Sequence, residues 1–528
     1  MLGGQLIFFF ALTVLITIIV SAFVVWRYAA SVLGGMRMAS GVEILLPTPP
    51  SLRAPPAAAA GASDWDRTVR RRVVLSWLAI NLLVALPVAL VYLWVSGELA
   101  LATQVVAVAA AIAIAAVPVI IVSLGWGVLR GLGLLLLYLL AGMALVAAFS
   151  VVVAVLSGRP PALDHLLNSL RFLQLTAVMA SLPALLMLLG WPSRIRYVVP
   201  IVFGSLVLFA IAPFVGSHLF QLLFESDSGM RVVLRYGFGL RHMVFAALAL
   251  PFAAVMAWRL HKLGAAYAAK RFSDVQLLAR AWWLMFACGQ VITLVNANEV
   301  PWWGGPLCAA AALLYLPISA AVMRRVPWGV GAPPVRTLLF LRAFGWRART
   351  ERLFDRVGAR WRYRGPITMI AAPDVVARSI DPADLLGYVR GDVALSFVRS
   401  EAELSTRLAA IDPQRDPDGR FRINEFCCAD NTWKATVVRL MDRADVVLMD
   451  LRGVKQGDKA GCAFELQQLA LRMPARRVVL VIDRDTDVLA LQQSLGPDAA
   501  AAVRMVRFES RSERAYDALL AEVTAAAA

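Results

Sequence analysis

The chain of 528 residues is 60% hydrophobic and only 16% charged, and its mean hydropathy of +0.70 exceeds what a soluble globular protein needs to build a core. This composition excludes an ordinary soluble protein and indicates an integral membrane protein. The formal net charge of +17 would suit nucleic-acid binding, but much of the excess lies in short loops between apolar runs, where Lys and Arg set membrane orientation. We therefore expect the lipid bilayer as a partner and no nucleic acid.

Residues 1–325 are predicted to form a multi-span α-helical membrane domain. Uncharged runs long enough to cross roughly 30 Å of hydrocarbon predict about nine spans. Almost no ionisable residues lie within the runs, which disfavours a transporter because buried charges usually mark an ion path. The runs begin near Gln5, Val73, Gln104, Leu132, Phe172, Tyr197, Met243, Ala281 and Gly304.

The loop after the first run is strongly basic, and basic loops stay on the cytoplasmic side of a membrane. This pattern predicts a multi-pass protein of the plasma or inner membrane, with its N-terminus outside and its C-terminal domain in the cytoplasm. Residues 47–63 of that loop are rich in Pro and Ala and favour a flexible linker. The arginines of the loop are Arg27, Arg37, Arg53, Arg67, Arg70, Arg71 and Arg72.

After a Gly/Pro hinge at 326–336, residues 337–528 alternate short apolar runs with amphipathic segments. Strands alternating with helices predict a doubly wound, mostly parallel sheet covered on both faces. Ligands bind beyond the carboxyl ends of such strands, so a site is expected after Leu341, Asp450 and Asp483. An insertion at 381–420 interrupts the pattern and is interpreted as a lid or a docking surface.

The residue types of the C-terminal domain narrow its chemistry. The four histidines all lie in the first half of the chain, so the C-terminal domain has none. A general base in that domain must therefore be a carboxylate, thiol or hydroxyl. The five cysteines have no disulfide or zinc spacing, and no P-loop is present, which leaves kinase, ATPase and zinc-hydrolase functions without support. No bound cofactor and no metal are predicted.

Glu465 is the most informative carboxylate. On a helix that starts near Cys462, a stripe of apolar residues faces the sheet, and Glu465 lies at the edge of that stripe. Its place in the first turn has a plain structural explanation, because an acidic side chain there stabilises the helix dipole by about 0.3–1 kcal/mol. A catalytic role is the alternative.

The run "ADVVLMDLRGVKQGDKAGCAFELQQLA" resembles the strand, loop and helix of Toll/interleukin-1 receptor (TIR) domains, in which a Cys-x-x-Glu-Leu helix follows a polar loop. The matching residues are Cys462, Glu465 and Leu466. A looser similarity is to nucleoside deoxyribosyltransferases, whose counterparts are Asp458, Gly461 and Glu465. Both families attack N-glycosidic bonds, and TIR enzymes cleave NAD to nicotinamide and an ADP-ribose product.

The resemblance implies that NAD would be a substrate and that Glu465 would stabilise or capture an oxocarbenium-like state. Asp450 would hold ribose hydroxyls, and Arg342 with Arg452 would pair with pyrophosphate. Each role has a simpler alternative: Asp450 caps the following turn, and the arginines are solvated. Trp433 is expected to pack between helices.

Three functions follow. The first is a membrane-anchored signalling or effector protein, with a role in defence, whose TIR-like domain hydrolyses NAD or a related nucleotide and associates with further copies. The second is a non-catalytic receptor or scaffold in which the C-terminal domain docks a partner. The third is a transporter with a nucleotide-sensing domain.

Overall fold

The computed structural model describes most of the chain outside the middle of the apolar half. The described ranges are 2–37, 44–49, 62–95, 102–123, 128–156, 257–296, 310–342, 348–371, 397–454, 460–510 and 512–528, with isolated positions between 198 and 255, at 307 and between 385 and 388. They divide into two compact units. The first comprises 1–26, 74–323 and 380–390, and the second comprises 27–73, 324–379 and 391–528.

The helices that precede the sheet in sequence are long and apolar. Two of them hold segments of sufficient length and composition to cross a membrane, Leu15–Arg37 and Trp65–Val95, and Gly131–Gly142 is a shorter apolar segment inside a third helix. The helices are α1 (Leu2–Arg37), α2 (Ala62–Val95), α3 (Ala102–Ala115), α4 (Val117–Ser123), α5 (Val128–Leu156), α6 (Asp274–Asn296) and α7 (Tyr315–Arg325).

The prediction of about nine spans is therefore not confirmed, since the described ranges hold two candidates. The runs predicted from Phe172, Tyr197 and Met243 lie wholly or largely outside the described residues. The run from Gly304 is described from 310 onward, and its helix α7 has 11 residues, too few to cross alone. The run from Gln104 is divided between α3 and α4, neither of which is long enough to cross alone.

Helix α2 presents a surface suited to lipid. The large apolar side chains on it that remain exposed recur over five turns or more, which is unfavourable in water. By contrast, the amide of Asn81 is buried and donates to the carbonyl oxygen of Ala116 at 3.0 Å. The exposed side chains are Leu75, Leu78, Leu82, Leu83, Leu86, Leu90 and Trp94.

The second unit is built on a seven-stranded, all-parallel sheet with the strand order β3-β4-β2-β1-β5-β6-β7. Its central strands are continuous apolar runs, as expected for strands buried on both faces. The strands are β1 (Leu338–Arg342), β2 (Ile367–Ala371), β3 (Phe397–Val398), β4 (Ile423–Cys428), β5 (Val446–Asp450), β6 (Val478–Ile482) and β7 (Arg504–Arg507).

Helices cover both faces of this sheet, which confirms the predicted α/β, doubly wound, parallel architecture. One core cluster joins the sheet to α9 (Glu401–Ala409), α10 (Trp433–Arg443), α11 (Ala460–Arg472) and α12 (Val488–Leu495). The other joins it to α8 (Ala348–Trp361) and α14 (Glu513–Ala527). The short α13 spans Pro497–Ala502.

The unit contains more than the predicted domain of 337–528. Residues 27–73 belong to it, and Ile44 is 7% exposed within the core cluster on the α11 face. The carbonyl oxygen of Pro47 accepts a hydrogen bond from Arg472 at the end of α11. Thus at least the start of the predicted 47–63 linker is held against the sheet unit, while 50–61 lie outside the described residues.

The predicted hinge and insertion are also packed. Trp328 in the hinge donates from its indole nitrogen to the carbonyl oxygen of Pro417 at 2.9 Å. In the same turn, Asp418 pairs with Arg420 at 2.6 Å, and both side chains are nearly inaccessible. The insertion therefore supplies the edge strand β3, helix α9 and a buried polar turn, although most of 381–396 lies outside the described residues.

Two glycines in this unit give opposite predictions for stability. A Cβ on Gly365 would overlap the carbonyl oxygen of Arg336, beside the start of β1. A Cβ on Gly358, inside α8, would meet only the Cδ1 atom of Ile367 at 3.5 Å, an ordinary contact. Gly365→Ala should therefore destabilise the unit by at least about 2 kcal/mol, and Gly358→Ala should stabilise it by about 0.5–1 kcal/mol.

Thermal unfolding of the detergent-solubilised full chain would measure both changes. The melting temperature should fall for the first variant and rise for the second. Equal shifts in the two variants would contradict the packing described around Gly365.

Candidate functional site

The candidate site lies at the carboxyl ends of β1 and β5. These strands are direct neighbours, and Arg342 at the end of β1 is in register with Asp450 at the end of β5. The chain runs outward from β1 to β2 on one side and returns to add β5, β6 and β7 on the other. The strand order reverses at this point. In doubly wound sheets, ligands commonly bind beyond the carboxyl ends of the strands at such a reversal.

Glu465 lies in the second turn of α11, which follows β5 and begins at Ala460, two residues earlier than predicted. Cys462, Leu466 and Leu469 are buried against the sheet and Glu465 is half-buried, as the predicted stripe and its edge require. The prediction that Glu465 lies at the edge of the apolar stripe is therefore confirmed.

Burial raises the pKa of the Glu465 carboxyl to about 8, and the positive charge of Arg342 offsets part of that rise. Removing a carboxylate from water disfavours its charged form, and a nearby cation favours it. The carboxyl is therefore mostly protonated at neutral pH. Since the charge of Arg342 acts on Glu465, the structure brings these two predicted site residues together.

Asp450 and Arg452 pair with each other. The Nε and Nη2 atoms of Arg452 donate to the two carboxylate oxygens of Asp450, each at 2.8 Å, and both side chains are buried. Thr350 also donates to Asp450 at 2.9 Å, and the backbone N–H of Arg452 donates to it at 3.3 Å. The last bond caps the turn after β5, the simpler role considered for Asp450.

A neighbouring network, which the sequence did not indicate, fixes the loop after β5. Arg349 donates to Asp483 at 2.8 Å and to the carbonyl oxygen of Arg452 at 2.6 Å. Gly453, at φ +78°, has no room for a Cβ because the Arg349 guanidinium lies against it, and its N–H donates to Asp483 at 2.9 Å. Burial would raise the pKa of Asp483, but bonds from Thr486 and Gly453 and the charge of Arg349 lower it.

An aromatic pair lies beside the start of α11. The rings of Trp433 and Phe464 meet edge to face with centroids 5.7 Å apart, and the exposed Lys434 ammonium lies 5.4 Å from the Phe464 ring centroid. A Cβ on Gly461 would contact the Trp433 indole at 3.5 Å. Trp433 therefore packs between α10 and α11, as predicted, and lies next to the helix turn that carries Glu465.

The remaining candidates supply little chemistry. Asp458 lies outside the described residues. Cys427 and Cys428 are buried, and burial raises the pKa of the Cys428 thiol to about 12, so it is not a reactive thiolate at neutral pH. Among the described residues, no group of three or more His, Cys, Asp or Glu side chains is arranged to hold a metal.

No protein-family model, curated protein or solved structure matches this chain. The likeness to TIR domains therefore depends on the residues themselves, on Cys462, Glu465 and Leu466 of α11 above all. A function has to be argued from the chemistry of the residues at this edge of the sheet.

Removing the positive charge from the Asp450–Arg452 pair should be costly. Arg452→Met leaves Asp450 buried with an uncompensated charge, for which we expect a loss of about 3–5 kcal/mol in unfolding free energy. The matched control is Arg484→Met, because Arg484 is 82% exposed and lies 3.9 Å from Asp485; its effect should stay within about 0.5 kcal/mol. Chemical denaturation of both variants checks this, and similar small losses would show that the pair is not needed for stability.

The raised pKa of Glu465 makes stability depend on pH. The folded chain holds this proton up to about pH 8, whereas an ordinary carboxyl releases it near 4.5. The stability that protonation confers is thus complete below about pH 4.5 and is lost as the pH rises through about 8. The loss is less than the limit of about 1.4 kcal/mol per pH unit, because the side chain keeps some contact with solvent.

Glu465→Gln should consequently be more stable than the natural chain at about pH 9 and no more stable at about pH 4. Glu509→Gln, at an exposed glutamate after β7, should show no such divergence. Denaturation curves at the two pH values measure the difference, and parallel behaviour of the two variants would sink the assignment of the raised pKa to Glu465.

Proposed function

We propose that this protein is a multi-pass membrane protein whose cytoplasmic α/β unit hydrolyses the N-glycosidic bond of NAD or a related nucleotide, with Glu465 as the catalytic carboxylate. The observation that carries the proposal is the half-buried Glu465 at the switch point between β1 and β5, within reach of the charge of Arg342. A perturbed carboxyl at such a position is a functional-site signal. The TIR-like spacing of Cys462, Glu465 and Leu466 supports the same chemistry.

The reaction needs no group beyond the substrate, water and a carboxylate. The bond between C1′ of the ribose and the nicotinamide nitrogen breaks, and its electron pair leaves with nicotinamide. The Glu465 carboxylate stabilises the oxocarbenium-like ribose, and water then adds to C1′ and loses a proton. Because the nicotinamide ring of NAD is cationic before cleavage, its arrival would favour the ionised form of Glu465.

The other residues predicted to bind substrate differ in how well their surroundings suit that role. Arg342 is the best candidate for a phosphate or pyrophosphate partner, because its charge already acts at Glu465. Both oxygens of Asp450 accept bonds from protein donors, and Arg452 is held by Asp450 and by the carbonyl oxygen of Arg349. A ribose contact at Asp450 or a pyrophosphate contact at Arg452 stays a prediction and requires a substrate to displace these bonds.

The membrane assignment combines two supports. Two described helices are long and apolar enough to span a bilayer, and α2 exposes leucines along its length. The further spans, the external N-terminus and the cytoplasmic α/β unit follow from the apolar runs and the basic loops of the sequence. A role in signalling or defence, with self-association through the α/β unit, is part of the same proposal.

A non-catalytic receptor or scaffold is the second candidate. It is favoured by the engagement of Asp450 and Arg452 with each other and by a Glu465 that is mostly neutral at pH 7, since neither feature requires a substrate. A transporter has weaker support, because the spans hold few charges.

Nicotinamide release from NAD by the full chain, in detergent and at high density in vesicles, tests the proposal. Glu465→Gln should lower the rate at least about 100-fold, the scale of losing a transition-state charge contact, while Glu509→Gln should not. The rate should rise with pH up to about 8 as the Glu465 carboxylate forms. Undiminished turnover in Glu465→Gln would remove this residue from the mechanism, and absence of turnover at every density would favour the receptor.

A further inference from the structure

Residues 44–49, which we call the strap, follow the end of α1 in sequence and lie against the helices of the α/β unit. The strap has no regular secondary structure. Ile44 is 7% exposed and belongs to the core cluster that contains Cys462, Leu466 and Leu469 of α11. The neighbouring Leu45 is 82% exposed. One side chain of the strap thus shares a core with the helix that carries Glu465.

Arg472 at the end of α11 is the second point of attachment. Its side chain is only 2% exposed, and each of its three nitrogens has a partner. Nε donates to Gln468 at 2.9 Å, Nη1 donates to both oxygens of Asp442 of α10 at 3.1 Å, and Nη2 donates to the carbonyl oxygen of Pro47. Without the strap, a buried charged donor would lose its partner, which is unfavourable.

The helices on either side of the strap in sequence are anchored to the same unit. At the end of α1, a Cβ on Gly35 would overlap the ring of Phe397 in β3, so the helix passes close to the edge strand. At the start of α2, Asp66 pairs with the buried Arg364 at 2.8 Å. Arg72 donates to the carbonyl oxygens of Pro327 and Val330 at 2.8 and 3.0 Å.

From these contacts we infer that the strap couples α1 to α11, so that a displacement of the membrane-type helix α1 changes the position of Glu465. The regulatory part of this inference rests on the proposed function of Glu465. Packed cores and ion pairs have a small number of discrete arrangements, and a shift at one end of such a network is passed on as a change of arrangement. Ile44 provides this connection by apolar packing, and Arg472 provides it by a hydrogen bond to the strap.

Hydrogen exchange of the full chain in lipid nanodiscs tests the coupling, with Ile44→Ala as the variant and Leu45→Ala as the matched exposed control. Exchange at the amides of α11 should become about tenfold faster in Ile44→Ala, equivalent to about 1.4 kcal/mol of local opening. It should not change in Leu45→Ala. Helix α14, which packs in the opposite core cluster, should exchange at its original rate in both variants.

Unchanged exchange in α11 of Ile44→Ala would overturn the coupling. Faster exchange in α11 and α14 together would also overturn it, because that result indicates global destabilisation. Ile44→Val, a smaller change, should give an intermediate rate in α11 and keeps the test valid if Ile44→Ala does not fold.

Nicotinamide release by the same variants separates the coupling from the proposed function. Where turnover is present, it should differ severalfold between Ile44→Ala and Leu45→Ala, and equal rates would overturn regulation through the strap. Absence of turnover in every protein, the natural chain included, would count against the proposed function, and the exchange rates of α11 would still decide the coupling.

Discussion

The parallel pairing of β1 with β5 is the interaction on which the site depends. Their five residue pairs run from Leu338 with Val446 to Arg342 with Asp450, and only the last pair is polar. An apolar strand centre leaves no partner for charge, so ionisable side chains collect at the carboxyl edge of the sheet. The same pairing lies at the reversal in strand order, where ligands of doubly wound sheets bind, and α11 follows β5 in the chain.

Two carboxyl groups at this edge have opposite environments. Asp450 accepts hydrogen bonds from Thr350 and from the guanidinium of Arg452. Glu465 has a desolvated carboxyl, with a raised pKa and only partial compensation from Arg342. Carboxyls with such different surroundings commonly take different roles in a site. The structural role therefore fits Asp450, and the chemical role fits Glu465.

Sequence reasoning succeeded where the signal is local. The runs VVLMD and VVLVI are uninterrupted and apolar because their strands are buried on both faces, and the stripe of α11 follows from helical spacing. Sequence reasoning did not find interactions between residues that are distant in sequence. The hydrogen bond from Arg349 to Asp483 is an example, because these residues are 134 positions apart.

The start of the Pro/Ala-rich segment has a binding partner that composition alone does not reveal. Such segments are flexible when nothing binds them, because they bury too little apolar surface to offset chain entropy. Here Ile44 packs in a core cluster of the sheet unit, and the carbonyl oxygen of Pro47 accepts a hydrogen bond from the buried Arg472. The position of residues 44–47 thus depends on the unit that contains α10 and α11 as much as on their own sequence. The helix that carries Glu465 is therefore incomplete in its packing without a segment encoded more than 400 residues earlier.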